Sequence, residues 1–425
     1  MPGKLNVLPE PQILKCPDCS QELILYAHAQ SECVTCSTCN TLLDTLSLKR
    51  LDKYIRTENT NQYLKIGAKG ELHGINYCIT GYIYKNEKDS IYYWSEYVLF
   101  NPVHGYAWLS EYLGHWIFFR HAINFPHGNR TWSSFFNNGL RYQRFMHYKH
   151  TVAWATGEFP FRLPAHEPYH TDEYIAPPYM LVKSYNGDEI SWMQGEHIES
   201  STIWNAFKPD NEKPKKSGIG AVQPTSFNES LSAIKIIYLV FACVLMILFG
   251  IFYWNNKNEI VCSANGTVYR QDTLETFRTG SFSLEKSYQA VEFEISSDAY
   301  NSWIECDITL VSENSGKEYH YAQGVEYYTG YDEGTWVEGS QSETVLLSSI
   351  PGGQYHLEIT PMSEQNHANS YKVNVYADVP IWRNFFILLL LPLIWPVIQL
   401  LRIRNFEFRR WGNSNIVTNY THEWS

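Results

Sequence analysis

Two long apolar stretches constrain the fold of this chain more than any other feature. The first, Ile236–Trp254, reads IIYLVFACVLMILFGIFYW, nineteen residues without a charged side chain. A helix of that length rises about 28 Å, close to the roughly 30 Å hydrocarbon thickness of a bilayer. The second, Phe385–Leu401, has seventeen residues and contains Pro392 and Pro396. Both are predicted to be transmembrane helices, the second one kinked, with a buried core helix as the alternative for each.

Positively charged side chains lie on the outer flanks of these two stretches. Five lysines precede the first stretch and four arginines follow the second: Lys208, Lys213, Lys215, Lys216, Lys235, Arg402, Arg404, Arg409 and Arg410. Close to the stretches, the segment between them offers only Lys257 and Arg383. Because positively charged flanks stay in the cytoplasm, we expect a two-pass protein with both termini cytoplasmic and residues 255–380 outside.

The distribution of charge agrees with this division. The net charge is −11, but residues 255–380 alone carry −13, from 19 acidic and 6 basic side chains. The remainder carries +2, from 25 acidic and 27 basic side chains. The cytoplasmic part therefore lacks the basic patch that nucleic-acid binding needs, and no nucleic-acid partner is expected. The acidic outer part suits solubility or contact with a cationic ligand.

Four cysteines near the amino terminus are spaced for a metal ion. They form two Cys-x-x-Cys pairs separated by sixteen residues: Cys16 with Cys19, and Cys36 with Cys39. Two sulfurs from each tight turn can reach one tetrahedral ion, so the spacing predicts a structural zinc ribbon over residues 12–46. Cys33 leaves an alternative open, because it is spaced from Cys36 in the same way. We expect Cys33 to be a spare thiol or an exchange ligand.

The predicted outer segment contains two cysteines, Cys262 and Cys306. An isolated pair in an oxidising compartment favours a disulfide bond. Two free thiols are the alternative, because a bridge cannot be fixed from sequence alone.

Residues 61–207 are rich in aromatic residues and in β-strand patterns. Residues 75–83 alternate apolar and polar or small side chains with a period of two, which is typical of a half-buried strand. Further strands are predicted over Ile91–Phe100, Tyr106–Ser110 and Trp116–Arg120. Short, closely spaced strands with little helical periodicity predict an all-β barrel or meander.

The predicted fold is therefore mainly β, divided by the membrane. The expected segments are a zinc ribbon (12–46), a cytoplasmic β domain (61–207), a polar linker (208–230), a transmembrane helix (236–254), an extracytoplasmic β-sandwich (255–380), a second transmembrane helix (385–401) and a cytoplasmic tail (402–425). Within the sandwich, the acidic stretch Gly324–Ser342 is expected to be a solvated loop, since it lacks the regular ligand spacing of a calcium loop. A ligand or calcium loop through Asp332, Glu333 and Glu338 is the alternative.

Several histidines invite a metal-based interpretation. The segment from His166 to His170 matches the HExxH pattern of zinc peptidases, which requires a helix. Pro168 disfavours helical angles at Glu167, so we expect an irregular loop there. Ten of the fifteen histidines lie between His73 and His197. We expect these to be core or surface hydrogen-bonding residues, with a second metal site as the alternative.

A series of short motifs then resembles a known family. In chain order they are Leu64-x-Ile66-Gly67, Tyr77-x-x-x-Gly81-Tyr82, Trp94-Ser95-Glu96-Tyr97, Trp108-Leu109, Gly157-Glu158-Phe159-Pro160, Tyr174-Ile175-Ala176-Pro177-Pro178, Glu189-Ile190-Ser191-Trp192 and Gly195-Glu196. Their order resembles the bacterial domain of unknown function 4178 over most of residues 61–207. The resemblance implies a bacterial inner-membrane protein of no established activity, similar to components of gene clusters tied to membrane stress and remodelling. Some of those clusters include polyamine-synthesis-like enzymes.

Carboxylates next to tryptophans are the best ligand-site candidates in this region. The residues are Glu96, Glu158, Glu189 and Glu196, with Trp94 and Trp192. Such a set can hold a cation or a polyamine through charge and cation–π contact. Exposed strand faces and turn partners are the alternative.

The sequence favours a non-catalytic role, because it contains no phosphate loop, nucleophile elbow or paired catalytic motif. We expect a membrane-anchored scaffold or sensor that links envelope and cytoplasm and has protein partners at the inner membrane. A small-ligand-binding or enzymatic accessory domain in the cytoplasm is the alternative.

Overall fold

The computed structural model describes residues 8, 10–56, 62–126, 131–163, 167–187, 189–225, 228–268, 275–363 and 369–416. The chain divides into two compact units. The first consists of Met1–Glu229 with Gln399–Ser425, and the second of Ser230–Ile398. The amino- and carboxy-terminal parts of the chain thus belong to the same unit.

The first unit is built mainly of antiparallel strands. The strands are β1 (Gln12–Lys15), β2 (Glu22–Leu25), β3 (Cys33–Thr35), β4 (Thr41–Asp44), β5 (Arg50–Lys53), β6 (Lys69–Leu72), β7 (Ile75–Glu87), β8 (Tyr93–Asn101), β9 (Gly105–Tyr112), β10 (His115–His121), β11 (Ser134–Asn137), β12 (Leu140–Phe159), β13 (Tyr169–Ala176), β14 (Tyr179–Asn186) and β15 (Glu189–Ile198). The strands predicted between residues 75 and 120 are confirmed to within a few residues.

Eight of these strands close into a barrel. Their order is β12, β13, β14, β15, β10, β9, β8 and β7, and β7 pairs again with β12. The twenty-residue strand β12 makes closure feasible, because its first part pairs with β13 and its second part with β7. Register shifts between Arg144 and Met146 and between Val152 and Trp154 mark bulges that bend this strand. Of the two predicted architectures, barrel and meander, the structure has the barrel.

The cysteine-rich segment is joined to the barrel by the same sheet. Strand β3 pairs with the end of β12, and β4 and β5 continue outward from β3. Gly157 faces Thr35 on one side and Gly81 on the other. A Cβ atom at Gly157 would lie 2.4 Å from the Thr80 carbonyl oxygen, and its φ of +95° also favours glycine. Glycine is therefore required where the ribbon and the barrel share a strand.

Two segments outside the strands pack against the barrel. Helix α1 (Ser200–Phe207), which the β-strand pattern did not predict, buries Ile203 and Phe207 in the main core. Val222, in the segment predicted to be a polar linker, is 1% exposed and packs with Phe145, Ile175 and Met180. Part of that segment is therefore integral to the first unit.

The second unit contains one antiparallel sheet in its described residues. The strands are β16 (Glu259–Val268), β17 (Phe277–Arg278), β18 (Phe282–Ser297), β19 (Ser302–Ser312), β20 (Glu318–Tyr331), β21 (Thr335–Gly339), β22 (Ser342–Ser363) and β23 (Asn369–Ala377). They pair in the order β16, β23, β18, β22, β19, β20 and β21, and β17 pairs with β22. Alternating aliphatic residues of β18, β19, β22 and β23 form the core.

The acidic stretch Gly324–Ser342 is largely a hairpin, which corrects the loop prediction. Strands β20 and β21 pair from Tyr327 opposite Gly339 to Tyr331 opposite Thr335. Tyrosine, threonine and valine favour a pleated strand, and this preference outweighs the acidic composition.

Two helical segments accompany this sheet. They are α2 (Asn228–Asn255) and a second segment made of α3 (Trp382–Leu390), a 3₁₀ turn (Leu391–Leu393) and α4 (Ile394–Trp411). The apolar parts of both are long enough to cross a membrane and are almost entirely exposed. The interruption falls at Pro392, as predicted for a kinked helix. Tyr238 on α2 donates a hydrogen bond to the Leu389 carbonyl, 2.9 Å away.

Candidate metal centre and ligand sites

The four predicted metal-binding cysteines converge in the structure. The sulfur atoms of Cys16, Cys19, Cys36 and Cys39 all lie within 4.8 Å of one another. The Cys16 and Cys39 sulfurs are 3.7 Å apart, and those of Cys19 and Cys36 are 3.6 Å apart. Four thiolates this close can hold one metal ion, and tetrahedral sulfur coordination is typical of structural zinc or iron–sulfur sites.

Two equivalent turns bring the sulfurs together. In the first, the Ser20 amide donates to the Cys16 carbonyl, and in the second the Asn40 amide donates to the Cys36 carbonyl. Ser20 and Asn40 both adopt a positive φ, of 62° and 58°. This turn holds the first sulfur and the sulfur three residues later on the same side.

The thiols of this region have different environments. Burial raises the pKa of Cys39, but its hydrogen bonds with Thr41 and the neighbouring thiols lower it to about 6. Cys33 is fully buried in the main core and contacts the Phe161 carbonyl at 3.1 Å. Burial raises the pKa of Cys33 to about 12. The structure therefore selects Cys36 with Cys39 and leaves Cys33 outside the cluster, as a buried thiol.

Glu158 joins the ribbon to the barrel. Its side chain is fully buried and accepts hydrogen bonds from the Tyr26 amide at 2.7 Å, the Ala27 amide at 3.0 Å and the Ser31 hydroxyl at 2.6 Å. Burial raises the pKa of Glu158, while these hydrogen bonds lower it. Because its oxygens are occupied by the ribbon, this carboxylate is part of the scaffold that holds the cysteine turns.

Glu96 and Trp94 belong to a polar cluster on one side of the barrel wall. Glu96 accepts a hydrogen bond from Trp94 Nε1 at 2.9 Å and pairs with Lys85 Nζ at 2.8 Å. The Trp94 ring meets the Tyr148 ring at a centroid distance of 5.6 Å, and Tyr148 donates a 2.8 Å hydrogen bond to Glu173. We call Lys85, Trp94, Glu96, Tyr148 and Glu173 the Glu96–Glu173 cluster.

Glu173 is the most perturbed carboxyl group of this cluster. Burial raises its pKa to about 7, and the negative charges of Glu87 and Glu96 add to the rise, while the Tyr148 hydrogen bond opposes it. A half-buried carboxyl group with such a pKa is a functional-site candidate. The sequence does not single out Glu173, because no tryptophan or glycine motif marks it.

The other predicted ligand residues have separate surroundings. Glu189 is exposed at the start of β15, opposite Asn186. Glu196 lies 3.4 Å from His73, and Trp192 stacks on Phe125 in an aromatic cluster. In the described residues, no contact joins these side chains to Glu96 or Glu158. The structure thus keeps Trp94 with Glu96 and distributes the rest around the barrel.

The predicted disulfide bond is absent, which corrects that expectation. Cys262 and Cys306 are both free thiols. Cys262 lies on β16 and Cys306 on β19, and three strands separate them in the sheet. Burial raises the pKa of Cys306 to about 12.

The HExxH pattern does not form a helix in the described residues. His166 lies outside them, Glu167 and Pro168 have no regular structure, and His170 belongs to strand β13. The expected irregular loop agrees with Glu167 and Pro168, whereas His170 already belongs to a strand.

Residues 410–415 attach the end of α4 to the barrel and to the segment before α2. Arg410 is 1% exposed and donates to the Gln223 carbonyl. Asn415 holds both backbone groups of His147, with its amide nitrogen 2.6 Å from the carbonyl and its oxygen 3.0 Å from the amide. Ser414 donates to the Phe145 carbonyl, and the Trp411 ring packs on Phe145 at 5.5 Å. We call residues 219–223 together with 410–415 the clamp.

The clamp fills a gap in the pairing of β12. On that edge β11 pairs with residues up to Gln143 and β7 from Thr151 onward. The contacts from Ser414 and Asn415 lie between these two, at Phe145 and His147. From sequence, residues 402–425 are predicted to be a cytoplasmic tail, because nothing in their composition indicates contacts with β12.

One of three comparisons with known proteins, the comparison with family models, agrees with the motif-based resemblance. A sequence model of the family described as "Domain of unknown function (DUF4178)" matches residues 65–200. No curated protein matches the chain. Among solved structures, the chain is similar to one titled "Structural basis for the promiscuous specificity of the carbohydrate-binding modules from the beta-sandwich super family", with 8% identity and a TM-score of 0.15. That alignment covers 55% of this chain and 91% of the other, and a likeness this slight says nothing about function. The family match supports the resemblance to this domain of unknown function over residues 65–200.

Proposed function

We propose that the protein is a two-pass inner-membrane adaptor that couples an extracytoplasmic β unit to a cytoplasmic barrel. The clamp is the observation that supports this proposal best. A barrel that was only tethered would need no contact with the chain next to the membrane. Here the segment that precedes α2 and the segment that ends α4 bind each other and the barrel.

The buried Arg410 makes the clamp stable enough to transmit a change. Its guanidinium group is 3.5 Å from Glu407 and also donates to the Gln223 carbonyl. Breaking a buried charged contact of this kind costs about 3 to 5 kcal/mol, because the remaining partner is left buried. A displacement of α4 would therefore move β12 before it broke the clamp.

In this proposal zinc occupies the four cysteines and has a structural role. The ribbon is too small for a large core of its own, and a bound metal supplies folding energy directly. Through Glu158 and β3, the folded ribbon supports one end of the barrel. The resemblance to components of membrane-stress clusters favours partners at the bacterial inner membrane.

The experiment compares partner recruitment with and without the clamp. Full-length wild type and the Arg410→Ala, Asn415→Ala and Arg409→Ala variants are cross-linked in membranes, and partners attached to the barrel are identified by mass spectrometry. The exposed neighbour Arg409 serves as the matched control. We expect the same partners with wild type and Arg409→Ala, and a several-fold loss with the other two. The adaptor function would be contradicted if the clamp variants recovered the same partners as wild type. It would also be contradicted if wild type recovered no partner.

A second candidate function is the binding of a small cationic ligand by the Glu96–Glu173 cluster. Two carboxylates and two aromatic rings lie on one side of the barrel wall, and the cluster contains only one positively charged group, the Lys85 amine. This excess of groups that attract a cation favours the candidate. An ammonium group would interact with Glu173 by charge and with Trp94 and Tyr148 through their rings.

Thermal-shift measurements on the full-length protein with putrescine and spermidine test this candidate. We expect stabilisation that is lost in Glu96→Gln and Glu173→Gln and kept in Glu189→Gln, which alters an exposed carboxylate of the same barrel. Equal shifts in all three variants, or none in wild type, would exclude the cluster as a polyamine site.

A further inference from the structure

Two histidines lie side by side on the opposite face of the wall from the Glu96–Glu173 cluster. His147 on β12 is paired with Asp172 on β13, and Lys149 with His170. Side chains of adjacent residues point to opposite faces of a strand, so His147, Asp172 and His170 share the face that Tyr148 and Glu173 do not. The His147 and His170 ring centroids are 6.3 Å apart, with 30° between the ring planes.

A buried carboxylate fixes the orientation of His147. Asp172 is 1% exposed, and its Oδ1 atom lies 2.9 Å from His147 Nδ1. An ionised carboxylate only accepts hydrogen bonds, so Nδ1 is the donor and the lone pair of His147 is on Nε2. Arg144 also donates to Oδ1, while the buried Oδ2 has no hydrogen-bond partner among the described residues. His147 and Arg144 therefore share Oδ1 of Asp172 as their acceptor, which fixes the orientation of the His147 ring.

His170 is held by stacking and not by hydrogen bonds. Its ring lies 5.1 Å from the Tyr185 ring, nearly parallel to it. Neither of its nitrogens has a hydrogen-bond partner in the part of the chain that the structure describes. Burial, followed by the positive charge of Lys149 and by His147, lowers the pKa of His170.

Three cationic side chains lie near this pair of histidines, and two of them already contact other groups. Arg144 is directed at Asp172, and the Lys183 ammonium group lies 5.3 Å from the centre of the Tyr185 ring. Lys149 is exposed. These charges oppose a bound cation, whereas the carboxylate of Asp172 favours it.

We propose that His147 and His170 bind a divalent transition-metal ion, separate from the four-cysteine centre. Imidazole nitrogens suit zinc, copper and nickel, and a ligating histidine commonly donates its second ring nitrogen to a carboxylate. A metal about 2.0 to 2.1 Å from one nitrogen of each ring places the two ring centres about 5 to 6 Å apart. The observed spacing needs only a small approach of the two side chains, and water completes the coordination.

The site also lies next to the clamp. The peptide groups of His147 are the ones that Asn415 holds. Metal binding at the ring restrains this residue and so stabilises the clamp. This coupling rests on the proposed adaptor function, whereas metal binding itself does not.

The test measures the number of zinc ions bound per chain, with the full-length protein equilibrated at a series of controlled free-zinc concentrations. We expect two zinc ions per chain in wild type, one bound by cysteine and one by histidine, and a single ion in His147→Gln and in His170→Gln. Asp172→Asn should weaken binding of the second zinc ion by about 10- to 100-fold, because the Asp172 carboxylate orients His147 without contacting the metal. His104→Gln, which changes an exposed histidine in the turn between β8 and β9, should retain both ions.

Melting curves without added zinc show whether each variant is folded. The proposed histidine site would be wrong if wild type bound one zinc ion at every free-zinc concentration. It would also be wrong if both histidine variants were folded and retained two ions. Asn415→Ala separates the two claims: it should keep both zinc ions and lose the zinc-dependent protection of residues 145–149 from hydrogen exchange. If zinc binds but changes no protection in wild type, the metal site stands and the coupling fails.

Discussion

At the scale of single residues, the cluster of four cysteines was the feature that could be predicted best. A Cys-x-x-Cys turn places its two sulfurs on one side whatever surrounds it, so spacing alone identifies the four cysteines that converge. The choice between Cys33 and Cys39 follows from burial, since Cys33 belongs to the barrel core. The partners of each glutamate depended on pairing between distant strands. For that reason the sequence does not indicate Glu173, and Glu158, a predicted ligand residue, instead binds the ribbon backbone.

Metal analysis of single cysteine variants tests the assignment of ligands. We expect Cys16→Ser and Cys36→Ser to lose the cysteine-bound zinc ion, because three thiolates hold the metal less tightly and the ribbon folds with it. Cys33→Ser should keep the ion, since its sulfur contacts the Phe161 carbonyl and not the cluster. The ligand set would be wrong if Cys33→Ser lost the metal while Cys36→Ser retained it.

The pKa of Glu173 predicts a pH dependence of stability. A carboxyl group whose pKa is raised on folding favours the folded state when protonated. Its contribution is therefore complete below the unfolded value of 4.5 and is lost as the pH rises through about 7. The loss amounts to on the order of 3 kcal/mol.

Unfolding measured between pH 5 and pH 8 checks this expectation. Glu173→Gln should flatten the decline in stability that wild type shows over this range, and Glu189→Gln should leave it unchanged. Parallel curves for wild type and Glu173→Gln would show that Glu173 does not titrate there.

At the scale of elements, alternating patterns identified the strands from β7 to β10 but not β12. Its bulges shift the register twice, so apolar side chains do not keep a period of two along it. Helix α1 has only eight residues and is stabilised by packing against the barrel rather than by its own pattern. The clamp was equally hidden, because its main contacts are side chains bonded to backbone groups.

The junction of ribbon and barrel predicts a strong effect of one glycine. Gly157→Ala combines a positive φ with a Cβ atom only 2.4 Å from the Thr80 carbonyl oxygen. We expect it to destabilise the first unit by about 3 kcal/mol or more. Gly74→Ala is the control: it has a φ of +75° with no atom within 4 Å of the added Cβ, and should cost about 1 to 2 kcal/mol. Chemical denaturation of both variants measures the difference. Equal losses of unfolding free energy in the two variants would show that the neighbouring strands accommodate a Cβ atom at Gly157 without an energetic penalty.

At the scale of the whole molecule, the sequence indicated the order of the segments but not their connections. Hydropathy identifies helices long enough to cross a bilayer, because that property depends on length and composition alone. Barrel closure between β7 and β12, and the inclusion of residues 399–416 in the first unit, depend on contacts between residues far apart in the chain. No local pattern encodes such contacts.

The proposed adaptor function requires a chain that crosses the membrane twice, with residues 255–380 outside and both termini in the cytoplasm. The most direct measurement inserts one epitope tag in the turn at Ser315 and, in a second protein, one in the turn at Ser47, and adds protease to intact cells with a permeable outer envelope. We predict that the tag at Ser315 is digested and that the tag at Ser47 survives until the cytoplasmic membrane is opened. Digestion of the Ser47 tag in intact cells, or survival of both tags, would contradict the account.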